Sequence, residues 1–258
     1  MLCSGGMISA ADHPGQIGIA IADAMAVHNA AYVNCNILHG NITDRAILFQ
    51  KTADGVTGVL AQFDYATYVG DSARAANREV SELKLFQSIV SLDHAEVPRT
   101  RLNDWESLLY VIYWLGTFGI NKADRDAFVN EAKEERLDIK QWLSRYYPST
   151  KTWSMRLEVF NHYTASRIRH ELLRQLAKDI HKALFCHEGC SGTYRQLDKN
   201  HRECGPHPLI ERNAFEAEIV AELLQVVARH KQAALVAMSE EHSLAEMQSA
   251  EQANDSDE

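Results

Sequence analysis

Ile17, Ile21, Ala24, His28 and Ala31 recur at spacings of three and four residues, which predicts a helix over Ile17–Val33 with one buried face. Two short apolar runs follow, Ala46–Gln50 and Thr57–Phe63. Between them lies Lys51-Thr52-Ala53-Asp54-Gly55, and Asp-Gly is a hairpin turn signal. This pair of runs is the one good β signal in the pattern. Gly70–Leu102 is polar and irregular, with a short helix predicted near Val80–Phe86. Next, Asn103 is placed to cap a helix, and Glu106 to answer it as a capping box. Leu108, Leu109, Val111, Ile112, Trp114 and Leu115 then leave no polar face, so this helix is predicted to be buried all round. Further helices are predicted over Lys122–Tyr147, broken at Pro148, and over Ser154–Phe160. Ala165–Phe185 carries Ile168, Leu172, Leu176, Ile180 and Leu184 four apart. Ala214–Met238 carries Phe215, Ile219, Leu223, Val226, Val227 and Ala234. A loop with Gly, Cys and His, His187–Ile210, separates the last two helices, and no internal repeat is found.

Composition narrows the setting. The chain has 258 residues, 46% apolar and 24% charged, as in ordinary globular proteins. No apolar run is long enough to read as a membrane span, and Met1–Gln16 does not read as a signal peptide. Five cysteines, Cys3, Cys35, Cys186, Cys190 and Cys204, are an odd and scattered set. They do not form a disulfide framework, so an intracellular setting, cytoplasmic or nuclear, is expected. The net charge of −9 is uneven: seven acids (Glu240, Glu241, Glu246, Glu251, Asp255, Asp257, Glu258) and no Lys or Arg fall in Ser239–Glu258, leaving −2 elsewhere. With one Leu and one Met, that end is expected to be a disordered acidic tail. Nothing in the charge pattern suggests a nucleic-acid footprint.

Three segments in fixed order carry the candidate chemistry. The first, Ile37-Leu38-His39-Gly40-Asn41-Ile42-Thr43-Asp44-Arg45-Ala46-Ile47-Leu48, resembles the kinase catalytic loop, H-R-D-x-x-x-x-N followed by an apolar strand. The second, Val59-Leu60-Ala61-Gln62-Phe63-Asp64-Tyr65-Ala66, resembles the strand ending in Asp-Phe-Gly, in its Asp-Phe-Asp variant. Asn103-Asp104-Trp105-Glu106-Ser107-Leu108-Leu109-Tyr110-Val111, the third, resembles an Asp-Leu-Glu-Ser sequence at the head of a buried helix. Together they are similar to the fungal-type protein kinase family, over about Ile17–Leu115. The resemblance implies a mostly α fold, the C-terminal (large) lobe of a protein kinase with one β-hairpin. It implies transfer of the ATP γ-phosphoryl to a Ser or Thr hydroxyl, with ATP and Mg²⁺ as the family's cofactors.

The chain departs from that family where the chemistry sits. The base slot holds Asn41, a neutral amide, and the second metal slot holds Ala46, which has no ligand atom. The first metal slot holds Gln62, a poorer ligand than a carboxylate for a hard dication. Gly40 stands at the usual loop Arg and Thr43 at the usual Lys. Asp44 and Asp64 lie near the slots but at other backbone positions, and are expected to be surface carboxylates. Two residues implied as structural anchors are present: His39, packing the loop, and Asp104, accepting its backbone N–H groups. Only 38 residues precede His39, with no G-x-G-x-x-G, so no N-terminal β lobe is recognisable. Pro14-Gly15-Gln16-Ile17-Gly18 reads as an ordinary helix start.

Other candidates are weaker. Cys186, Cys190, His201, Cys204 and His207 could ligate Zn²⁺, but their spacing is irregular and a surface loop is the favoured reading. Trp105, Trp114, Trp142 and Trp153 form no stacking platform, and core packing is expected for them. The expectation is therefore an N-terminal segment (1–16), a kinase-like large lobe (17–238) and an acidic tail (239–258). The leading function is a catalytically inactive, pseudokinase interaction module that binds another protein, with no cofactor, nucleic acid or membrane. Ile42, Leu48, Val59 and Leu60 would then be partly exposed for that partner. One alternative is a Ser/Thr kinase with residual activity, or one completed by another chain. The other is a truncated remnant without function, which recombinant solubility would separate from the first two.

Overall fold

The computed structural model describes residues 4–52, 55–69, 85–93, 97–118, 162, 165–186, 210 and 212–255. Its strands are β1 (Ser4–Met7), β2 (Ile37–Leu38), β3 (Ile47–Thr52), β4 (Gly55–Leu60) and β5 (Thr67–Tyr68). Its helices are α1 (Pro14–Cys35), α2 (Ile89–Asp93), α3 (Arg101–Phe118), α4 (Glu171–Phe185) and α5 (Glu216–Asp255). The described residues are mostly α-helical with two small sheets, consistent with the mostly α lobe that the motifs imply. The helices predicted over Lys122–Tyr147 and Ser154–Phe160 lie outside the described residues, as do positions 80–84 of the short helix predicted near Phe86, and Trp142 and Trp153.

The predicted hairpin forms from β3 and β4, with Thr52 opposite Gly55 at its turn. Pattern alone did not reveal that β1 joins it, pairing antiparallel with β3 to give the order β1-β3-β4. Ser-Gly-Gly-Met has no alternation to betray a strand. The side chains divide by period two. Ile47, Phe49 and Leu60 are buried, whereas Val59 is exposed on the other face.

α1 packs against β3 and β4 and also against α4 and α5, so it is buried on more than the predicted face. Ile17, Ile19, Ala20 and Ile21 are all within the core. Pro14 begins the helix, and the His13 ring accepts the Gly15 N–H as a cap. β4 comes so close that a Cβ on Gly58 would sit 2.6 Å from Ala20 Cα, which only glycine permits. Asp23 on α1 ties the neighbours together: it accepts the Gly58 N–H at 3.0 Å and the Lys231 ammonium of α5 at 2.6 Å.

α3 is the predicted buried helix, with Trp105, Leu108, Leu109, Tyr110, Val111 and Ile112 fully enclosed. Trp114 is only partly buried, packed edge-on against Phe86. Its predicted capping box does not form. The helix starts at Arg101, and Asn103 instead accepts the Thr100 N–H at 2.7 Å from inside the first turn. Glu106 is fully buried and turned to other work: it accepts the Ile89 N–H, the Tyr110 hydroxyl and the Arg212 guanidinium, at 2.6, 2.7 and 2.6 Å. α4 begins later than predicted, after a 3₁₀ turn at Ala165–Arg167. There the Arg169 N–H bonds Gly116 at the end of α3, and Arg174 takes the Ile168 carbonyl, so the backbone cannot continue as α-helix.

α5 differs most from expectation. The predicted helix ends at Met238, but the observed one runs through the supposed disordered tail to Asp255. Ala, Glu, Gln, Leu and Met are good helix formers, and residues 239–249 are helical with exposed side chains. Exposed pairs of Glu241 with His13 and of Glu246 with His242 accompany the extension.

Candidate functional site

Two short strand pairs hold the loops that carry the motifs. β2 pairs with β5, and β3 with β4. The segment from His39 to Ala46 leaves β2 and enters β3, while the segment from Ala61 to Ala66 leaves β4 and enters β5. Both loops are thus fastened at both ends and brought side by side. The Ala61 N–H donates to the Ala46 carbonyl at 2.8 Å, so the two metal slots, Ala46 and Gln62, are neighbours.

His39 is buried between the loops. Its Nε2 donates to the Ala61 carbonyl at 2.8 Å, and its Nδ1 accepts the Asn41 N–H at 3.2 Å. One donor and one acceptor require the neutral ring. Burial holds the pKa of His39 below the usual imidazole value, against the pull of Asp104 and of the Ala61 bond. Phe63 meets the ring edge-on at 4.7 Å.

Asp104 projects from the first turn of α3 toward the loop that follows β2. Its Oδ2 accepts the Gly40 N–H at 3.1 Å and His28 Nε2 at 2.8 Å, in a fully buried setting. Burial alone would raise its pKa. The His28 bond and charge, with His39 and the Gly40 N–H, outweigh that and hold the carboxyl below its usual range. Gly40 itself has φ 75°. Its carbonyl accepts Arg99 Nη1 at 2.8 Å, so both of its backbone polar groups are held. A Cβ there would lie 3.3 Å from the Tyr65 carbonyl oxygen and 3.4 Å from that nitrogen.

The three slots are held by Asn41, Ala46 and Gln62. Asn41 is buried, and its Nδ2 has no hydrogen-bond partner. Ala46 is fully enclosed. Gln62 is exposed, with φ 61° and ψ 49°, so its backbone keeps a left-handed conformation although the side chain serves nothing that the structure displays. Mg²⁺ would need carboxylates here, and the residues present do not fit it. Asp44 is half-buried rather than fully exposed, and burial raises its pKa, with Arg45 opposing. Asp64 is exposed in the 3₁₀ turn Phe63–Tyr65. Thr43, in the usual Lys position, caps the loop by accepting the Arg45 and Ala46 N–H groups.

Of the residues expected at an open surface, Ile42 and Leu60 are buried, Leu48 is half-buried and Val59 is exposed. Ile42 and Leu60 face the core, one from the loop and one from the inner side of β4. Cys186 closes α4 and is half-buried; Cys190, His201, Cys204 and His207 lie outside the described residues. Among the described residues, no group of three or more His, Cys, Asp or Glu is placed to hold a metal. None of their helices is long and apolar enough to cross a membrane. Sequence reasoning missed Arg99 and the pairing of His28 with Asp104. His28 sits on the predicted inner face of α1, which was the available signal; for Arg99 there was none.

A helical body, a hairpin and two facing loops bonded to a helix-borne Asp are consistent with the large lobe of a protein kinase. The family model described as fungal protein kinase matches residues 2–116, which shows that resemblance over the stretch from before β1 to near the end of α3. No curated protein matches the chain.

Proposed function

We propose that this chain is a catalytically inactive member of the kinase fold that works by binding another protein. One observation carries the reading: the loop scaffold of His39, Gly40 and Asp104 is fully bonded, while the three slots it exists to present hold Asn41, Ala46 and Gln62. A general base alone is worth about 10²- to 10⁴-fold. Loss of base and metal ligands in one unit removes the means of transfer.

The outer face of the sheet is the surface on which a partner would sit. Met7, Leu48 and Val59 lie opposite one another across β1, β3 and β4, and Met7 and Val59 are 46% and 39% exposed. Contiguous exposed apolar patches are where interfaces form, and these three residues adjoin one another. An intracellular setting, cytoplasmic or nuclear, belongs to the same reading.

Residual activity is the second reading, favoured by the half-buried Asp44 with its raised pKa. Radiolabelled ATP with a generic protein substrate tests both. No Mg²⁺-dependent labelling is expected. Labelling that disappears in an Asp44→Ala, Asp64→Ala double variant would establish residual catalysis through those carboxylates. Labelling that survives it would overturn both accounts, because neither nearby carboxylate would remain.

A further inference from the structure

The second half of α5 leaves the body with an unpartnered face. Through Met238 the helix runs antiparallel to α1, with Lys231 at Asp23, Ala234 near Gly18 and Met238 at Gly15. Ile219, Val220, Leu223, Val226, Val227, His230 and Ala234 are its buried residues there. Val236, Leu244 and Met247 are 56%, 57% and 63% exposed. At about 100° per residue these three fall within about 80° of one another; Val236 and Met247 lie on the side turned away from Leu223, Val227, His230 and Ala234, and Leu244 continues the line of Val226 into the stretch where the described side chains are exposed. Glu240 lies in the same strip, with Glu241 and Glu246 exposed beside it. No Lys or Arg occurs from Ser239 to Glu258.

We propose that this strip is a docking site for a basic amphipathic helix of another protein, its apolar side on Val236, Leu244 and Met247 and its Lys or Arg residues beside the glutamates. Charge complementarity selects that occupant. A second copy would set seven acids against seven. Nucleic acid or an anionic membrane would meet like charge. Helix-on-helix docking, with anchors about one or two turns apart on one side of the helix, is the mode such a strip fits. This surface is separate from the outer face of the sheet, so the inference does not depend on the function proposed above.

The test uses the full chain and three labelled synthetic peptides: a helix with a Leu face flanked by Lys, the same peptide with Glu for Lys, and the Lys peptide scrambled to destroy the face. Fluorescence anisotropy at about 0.15 M salt measures binding. The basic amphipathic peptide should bind. L244Q/M247Q should weaken it by about tenfold or more, the loss expected when two apolar anchors are removed. Both positions are exposed, so an unchanged melting midpoint will show that the variant folds. Hydrogen exchange should show new protection confined to 236–249. The proposal fails if the scrambled or the acidic peptide binds equally well, if L244Q/M247Q binds unchanged, or if no peptide binds. It also fails if sedimentation shows a dimer of the chain that L244Q/M247Q dissolves.

Discussion

Asp104 serves two donors, the buried His28 Nε2 and the half-buried Gly40 N–H, through one oxygen. Asp104→Ala orphans both, at about 1–3 kcal/mol each, and should lower the urea midpoint clearly. An unchanged midpoint would mean that the carboxylate does not anchor the loop. Acid should act on the same cluster in two stages. The neutral His39 has a folded pKa below its unfolded value, so its contribution is complete above about pH 6.5 and lost as pH falls toward the folded value. Asp104 also has a lowered pKa, so its contribution is complete above about pH 4 and lost as pH falls through the folded value. Stability measured from about pH 7.5 down to about pH 5 should therefore fall, and His39→Gln should flatten that fall. A variant with the parent's slope would assign the titration to other histidines. Gln62 offers a simpler test. It holds a left-handed backbone at a cost of about 1–2 kcal/mol, and its side chain is exposed. Gln62→Gly should raise the midpoint by about 1 kcal/mol, less what Gly adds to unfolded-chain entropy. A lower midpoint would show that the glutamine side chain makes a bond of its own.

Among the elements, the tie between α3 and the 3₁₀ turn ahead of α5 is the one to break. Arg212 is 2% exposed, its Nη2 lies 2.6 Å from Glu106, and its guanidinium stands over the Phe185 ring. Its Nε and Nη1 have no hydrogen-bond partner, so the ion carries part of its desolvation cost uncompensated. Removing one member leaves the other charged and buried: Arg212→Met should cost about 3–5 kcal/mol. Arg212→Met with Glu106→Gln should recover much of it in a thermal melt. If the double variant is no better than the single, the arginine matters for its packing rather than its charge. This contact also marks what pattern can reveal. Helices α1 and α3 and the hairpin were legible because their periodicity and turn residues are local. Glu106 was misread as a capping residue because its partners, Ile89, Tyr110 and Arg212, include one more than a hundred positions away. In the same way β1 was invisible, since Gly5 and Gly6 have no side chains and the strand exists only through β3. The assignment of Asn41, Ala46 and Gln62 to slots rests on spacing, whereas the unpaired amide of Asn41 and the guanidinium of Arg99 at Gly40 depend on contacts that only the folded chain makes.

At the scale of the molecule, the question is whether the body needs the end of α5. The core closes around α1, α3 and α4 with Leu223, Val226, Val227 and Ala234 of α5, all before Met238. Beyond it the described side chains are exposed, and the bond from Glu241 to His13 links partly and largely exposed groups. Such a pair is worth about 0–1 kcal/mol. A chain ending at Met238 should therefore keep its urea midpoint to within about 1 kcal/mol and unfold with a slightly smaller denaturant slope. It should also be less soluble, because removing seven acids takes the net charge from −9 to −2. The two readouts separate the roles open to this segment. A loss of stability above about 2 kcal/mol would mean that the acidic stretch packs on the body and supports the fold. Unchanged stability with lower solubility leaves the extension free of any structural duty, as a surface meant for contact requires.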